Sequence, residues 1–127
     1  MVDHLGLLIT AVVGAANCPE RDGLEALFFL RPKGQKLPRK VIVDQGYCGE
    51  DIKVRARKYG VEIAAVKRRE TKGFIVEPKR WIVERTFAWF GKFRRLSKDY
   101  ELVTLTSLSM MYLVMTRLMC RRLCQMV

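Results

Sequence analysis

The sequence predicts an α/β fold from three observations. Two short apolar runs, residues 41–43 and 61–66, flank a stretch at 50–59 that sets Ile52 and Ala56 on one helical face and Lys53, Arg55, Arg57 and Lys58 on the other. Strand, helix and strand within about 25 residues form a βαβ unit, which needs a parallel pair covered by its helix. Downstream, residues 79–100 and 103–123 carry apolar side chains at intervals of three and four, the period of amphipathic helices.

The chain opens with a turn signal, Asp3-His4-Leu5-Gly6, and residues 5–13 then read as a buried strand rich in leucine and β-branched residues. Only Met1 and Val2 precede that corner, so most of the first strand of its hairpin is expected to be absent. Pro19 and Glu20-Arg21-Asp22-Gly23 mark a loop, after which Leu24, Leu27, Phe28 and Leu30 follow helical spacing as far as Arg31-Pro32. Residues 32–40, with Gly34, Pro38 and several cations, read as a loop that is either simply solvated or touches a phosphate backbone. Asp44 ends the strand at 41–43, Gly46 permits a sharp turn, and Gly60 stops the helix at 50–59. Lys67, Arg68, Arg69 and Lys72 form a polar loop with Gly73, and Pro78 restarts the chain as the helix at 79–100. In that helix Trp81, Val83, Phe87, Phe90 and Leu96 supply the apolar positions; in the helix at 103–123, Leu105, Leu108, Tyr112, Met115 and Met119 do so.

A chain of 127 residues bounds the molecule to one domain at most. Its 24 Lys and Arg against 13 Asp and Glu give a net charge of +11, which favours a polyanionic partner because each phosphate contact releases counterions. Charge alone does not separate a DNA enzyme from a ribosomal or RNA-binding protein. Cys18, Cys48, Cys120 and Cys124 include no CxxC pair, so free thiols are expected and a zinc site is not. Cys120 and Cys124 share a helix face and are expected in the core. Residues 5–18 have the length of a signal-peptide core, but Val2, Asp3 and His4 supply no positive flank and Asn17 stands where a small residue is wanted. Residues 102–119 are interrupted by Thr104, Thr106, Ser107, Ser109, Thr116 and Arg117, too polar for a spanning helix. A soluble, cytoplasmic protein is the expectation.

Two acids stand out. Asp44 follows a buried strand at the end where open α/β sheets place their ligands, although it equally suits a turn-former ahead of Gly46. Glu84 is the single acid among Lys79, Arg80, Arg85, Lys92, Arg94, Arg95 and Lys98; it reads either as an ion-pair partner of Arg80, four residues away, or as a metal ligand in a phosphate-binding site.

The segment RWIVERTFAWFGKFRRLSKDYE, residues 80–101, resembles the motif around the catalytic glutamate of bacterial insertion-sequence transposases of the DDE class. VIVDQGYCGEDI, residues 41–52, resembles the segment that carries their second catalytic aspartate. The resemblance implies a partial RNase H-like fold lacking its first strand, with C-terminal helices, residues 1–127 forming the C-terminal part of one catalytic domain. It implies metal-dependent DNA cleavage and strand transfer, with Asp44 and Glu84 as catalytic ligands of Mg2+; Arg80, Arg85, Lys92, Arg94 and Arg95 are the candidate DNA contacts, with simple solvation as the other reading for Arg80 and Lys92.

The first catalytic aspartate is missing, since Asp3 matches the hairpin turn and not that motif. The strand at 41–43 is then expected to lack a neighbour, and the chain to be inactive alone. Departures from the family pattern are Glu77, where many relatives have tyrosine, and Lys92 eight residues after Glu84. Trp81 and Trp89 lie about 80° apart around an ideal helix; core packing is expected of both, with base stacking as the other reading for the more exposed one. Implied partners are the DNA of insertion-element ends and either an upstream transposase fragment or a second copy, with no membrane. The alternative is a non-catalytic basic module binding DNA or RNA.

Overall fold

The computed structural model describes residues 1–15, 17–31, 34–47, 49–65 and 81–125. They fall into two compact units, Ala15–Ile75 and the pairing of Met1–Gly14 with Val76–Val127.

The unit Ala15–Ile75 holds helix α1 (Glu20–Phe29), strand β1 (Lys40–Val43), helix α2 (Glu50–Lys58) and strand β2 (Glu62–Ala65). β1 and β2 are parallel, in the register Lys40↔Glu62, Val41↔Ile63, Ile42↔Ala64 and Val43↔Ala65, so the expected βαβ unit is present. Its core is drawn from positions the helical spacing picked out: Leu24 and Phe28 from α1 and Ile52 and Ala56 from α2 are buried with Val61 and Ile63, whereas Leu27 is partly buried and Leu30 is 58% exposed. Phe28 and Tyr59 meet with ring centroids 5.6 Å apart.

Local chemistry explains the helix ends. Glu50 and Asp51 occupy the first turn of α2 and Arg55, Arg57 and Lys58 its last, each sign at the favourable end of the helix dipole. The Lys53 ammonium, 2.6 Å from Glu50, holds the Glu50 carboxyl below its usual pKa through a hydrogen bond and charge. At the other end Gly60, at φ 71, lets its own N–H reach the Arg57 carbonyl and the Val61 N–H reach the Ala56 carbonyl. This paired cap satisfies two carbonyls and turns the chain directly into β2. After α1, Arg31 closes the helix by donating to the carbonyls of Phe28 at 2.7 Å and Gln35 at 3.1 Å.

The unit of Met1–Gly14 with Val76–Val127 contains helix α3 (Trp81–Gly91), a 3₁₀ turn at Arg94–Leu96 and helix α4 (Thr104–Gln125). Its core is Phe90, Val114 and Met115, lined by Leu7, Leu8, Phe93, Leu96, Met111, Leu118 and Met119. The Asp3 to Gly6 corner forms as expected: the Asp3 carboxylate accepts the N–H groups of Leu5 and Leu7, and the Gly6 N–H donates to the Asp3 carbonyl.

Three expectations are corrected. Residues 5–13 do not form a strand; among the described residues their pairing is a single antiparallel bridge, Val2↔Leu8. Beyond the bridge the Ala11 N–H goes to the Tyr112 hydroxyl, 3.3 Å away, while Leu7 and Leu8 pack on the helices. The helix expected over 79–100 stops at Gly91, where helix propensity is poor; Phe93 is extended and the chain restarts as the 3₁₀ turn. Cys120 and Cys124 are exposed on α4, not in the core.

The two strands and four helices among the described residues are compatible with the predicted α/β class. Among the described residues no strand pairs with the far edge of β1, where Ile42 is 45% exposed, and no helix is long and apolar enough to cross a membrane.

Gly6 is the residue whose backbone this unit most needs. It sits at φ +78, and a β-carbon there would lie 3.0 Å from Thr86 Oγ1, 3.1 Å from Arg85 Nη2 and 3.2 Å from Trp89 Cζ3. Gly6→Ala is expected to destabilise the protein by about 1–3 kcal/mol, from the left-handed backbone plus crowding. A urea midpoint equal to that of the unsubstituted chain would show that the contact is dispensable.

Candidate metal and nucleic-acid site

β1 delivers Asp44 to its carboxyl end. The residue is exposed, and its carbonyl accepts the Tyr47 N–H at 3.0 Å as the chain enters the 3₁₀ turn Gln45–Tyr47. The turn is therefore real, and the carboxylate stands at the sheet end that parallel α/β folds use for ligands. Asp44 belongs to the unit Ala15–Ile75.

Glu84 belongs to the other unit. It lies in the first turn of α3, where a carboxylate is favoured by the helix dipole, and it is exposed. Among the described residues it has no hydrogen-bond or ion-pair partner. Arg80, the expected partner or phosphate contact, lies outside the described residues.

α3 itself is fixed from its opposite face. The Thr86 hydroxyl, buried, lies 2.8 Å from the Gly6 carbonyl and 3.0 Å from the Ile82 carbonyl, and Phe90 one turn later enters the core. Glu84 is thus held on a helix whose anchors point away from it.

Both acids offer hard oxygen donors, the type that a magnesium ion takes. Donor number falls short of donor type. Among the described residues no group of three or more His, Cys, Asp or Glu is placed to hold a metal ion.

The cations divide into three kinds. Lys92 and Arg94 are exposed just beyond α3. Arg95 is partly neutralised, donating to Glu101 at 2.6 Å. Arg85 lies between two indoles four residues either side, 4.4 Å from the Trp81 ring centroid and 5.0 Å from that of Trp89; its Nε is buried without a hydrogen-bond partner.

Arg122 from α4 sits 4.5 Å over the Trp89 ring and completes the stack. Sequence reasoning missed this arrangement, although the spacing Trp81, Arg85, Trp89 at intervals of four was a readable signal for the part within α3. Arg117 lies 5.8 Å over Phe93 in the same unit.

Residues 41–121 match the family model of the transposase DDE domain. Over 108 residues the chain is 33% identical to a Burkholderia cepacia protein named "Putative transposase for insertion sequence element IS402"; the match covers 80% of this chain and 51% of that protein. The chain therefore spans about half the length of the curated relative it matches. No solved structure matches the chain. The family match runs from β1 through most of α4, takes in Asp44, Glu84 and the cations around them, and covers well over half of the sequence: the chain belongs to the transposase DDE domain family.

Proposed function

We propose that this chain is the C-terminal part of the catalytic domain of a DDE transposase with an RNase H-like fold. The complete enzyme would cleave DNA at the ends of an insertion element and join them to a target. The observation that carries the reading is the family match over residues 41–121, which contains both acids. An exposed Glu84, with no partner among the described residues, on an otherwise well-anchored helix is compatible with it.

In this reading Asp44 and Glu84 are two ligands of a Mg2+ site, and a third carboxylate comes from sequence outside this chain. When bound, the metal supplies activation of a water or 3′-hydroxyl and stabilisation of the leaving oxygen. The chain's own cations bind and orient the substrate. Arg80, Lys92 and Arg94 contact DNA phosphates, Arg95 does so when released from Glu101, and Arg85 acts through the indoles it separates. The chain alone is inactive and works in the cytoplasm beside an upstream transposase segment or a second copy. A second reading, a non-catalytic basic DNA- or RNA-binding module, draws on the net charge of +11 and the exposed Lys92 and Arg94.

Mg2+-dependent nicking of terminal-repeat DNA is expected from a mixture of this chain with a polypeptide carrying the missing N-terminal portion, and not from the chain alone. Asp44→Ala or Glu84→Ala should abolish it; a folded but inert mixture would leave the non-catalytic reading.

Glu84→Gln is expected to change the unfolding free energy by less than about 0.5 kcal/mol, as for other surface positions. A loss above about 1 kcal/mol in chemical denaturation would make Glu84 a structural residue instead.

For DNA affinity, Lys92→Ala combined with Arg94→Ala should lower the slope of log K against log salt by about 2, since each phosphate contact contributes roughly 0.9. An unchanged slope in a salt titration would remove both residues from the interface.

A further inference from the structure

Helix α4 is apolar on two sides. Ser107, Val114 and Met115 turn into the core of their unit. About 180° around the helix lie Ser109, Leu113, Thr116 and Cys120, flanked by Leu105, Thr106, Leu123 and Cys124, and all of these are exposed. The three leucines are 66, 64 and 64% exposed in chain order. No residue of this outer face is charged, although 29% of the chain is. Its two central hydroxyls are already bonded inside the helix, Ser109 to the Leu105 carbonyl at 2.8 Å and Thr116 to the Tyr112 carbonyl at 2.9 Å, so both residues present carbon outward. Two arginines of α4 are drawn off the face, Arg117 over the Phe93 ring and Arg122 over that of Trp89.

We propose that the outer face of α4 is a self-association surface, packing antiparallel against the same face of a second copy of this chain. Thr106, Ser109, Leu113, Thr116, Cys120 and Leu123 follow one another at alternating steps of three and four. That average of about 3.5 is the period at which two helices keep one seam in contact. The order is also self-complementary. Around a two-fold axis midway between positions 114 and 115, Leu113 meets Thr116 of the second copy, Leu123 meets Thr106, Leu105 meets Cys124 and Ser109 meets Cys120.

Every leucine therefore faces a smaller side chain, the large-to-small alternation by which facing layers interdigitate. Parallel pairing would set leucine on leucine and serine on serine, crowding some layers and leaving voids in others, and it would align the two helix dipoles. DNA is a poor occupant, since a phosphate backbone is held largely by cations and this face presents none. One helix pair is a small interface, so dimers are expected to form at roughly micromolar concentration and to part on dilution. Such pairing requires neither catalysis nor DNA.

Mass in solution tests the surface. Sedimentation equilibrium in about 0.3 M salt, which screens the net charge of +11, is expected to show a species of twice 14.7 kDa that dissociates on dilution. Leu113→Arg should raise the dissociation constant about tenfold or more and leave the urea midpoint unchanged, because the leucine is exposed in the single chain. Disulfide trapping tests the direction. In a chain carrying Cys18→Ser, Cys48→Ser and Cys124→Ser, the further change Ser109→Cys is expected to give an oxidised dimer linked through Cys120. Without Ser109→Cys little dimer is expected, since the two Cys120 thiols lie about 16 Å apart along an antiparallel seam, beyond disulfide reach.

A monomer at every concentration, or a dimer as tight with Leu113→Arg as without it, would overturn the proposal. Efficient Cys120 to Cys120 bonding in the absence of Ser109→Cys would show a parallel seam and overturn the antiparallel one. A chain that stays monomeric, yet loses binding to a polypeptide carrying the missing N-terminal portion when Leu113→Arg is introduced, would assign the face to that polypeptide instead. None of these outcomes bears on the metal or DNA assignments.

Discussion

The hydroxyl of Thr86 against the carbonyl of Gly6 is the contact on which the unit of Met1–Gly14 with Val76–Val127 depends. It joins residues 80 apart in sequence and lies where water is excluded. Losing the donor would leave a buried carbonyl with less to bond to, a cost of about 1–3 kcal/mol. Everything else in the unit is compatible with that closeness: Gly6 has no side chain to hold α3 away, Leu7 and Leu8 drop onto the Phe90, Val114 and Met115 cluster, and Tyr112 takes up the Ala11 amide.

From this anchoring follows a division of labour around α3. Thr86 and Phe90 face the packed interior, Trp81 and Glu84 lie on the far side, and Val83 and Phe87, nearer the interior stripe, are exposed as well. A helix secured by two interior residues can carry an exposed acid and large exposed rings without those residues being needed for the fold. Side chains that contribute little to stability, yet are displayed on a rigid element, are the ones free to serve binding.

The βαβ unit was legible because each of its parts has a local cause: short apolar runs, a helix face set by Ile52 and Ala56, and a glycine where the helix must turn into the next strand. Residues 5–13 were misread because leucine and β-branched content signals burial without saying whether a pairing partner exists. The helix at 79–100 was read too long because its apolar period runs on through Phe93 and Leu96, both of which do pack, but after a break at Gly91 that only the backbone reveals. Cys120 and Cys124 share a face, as their spacing required, yet which face α4 buries is decided by Val114 and Met115. At the site, residue types in order suggested Asp44 and Glu84 only through likeness to a family. The indole and guanidinium stack was half visible, for its last member, Arg122, comes from a different helix and no periodicity connects it to Trp89.

The side of β1 that no strand among the described residues covers has a consequence for how this protein behaves in concentrated solution. An edge composed of Val41, Ile42 and Val43, with Ile42 45% exposed, is a template onto which a strand from another molecule can add. At four residues it is short, and Lys40 stands at one end with Asp44 at the other. Charged side chains at both ends, Lys40 with Glu62 3.3 Å away and Asp44, act as gatekeepers that oppose the stacking of identical copies in register. The strand thus tolerates a single added neighbour far better than the endless in-register repetition from which fibrils grow.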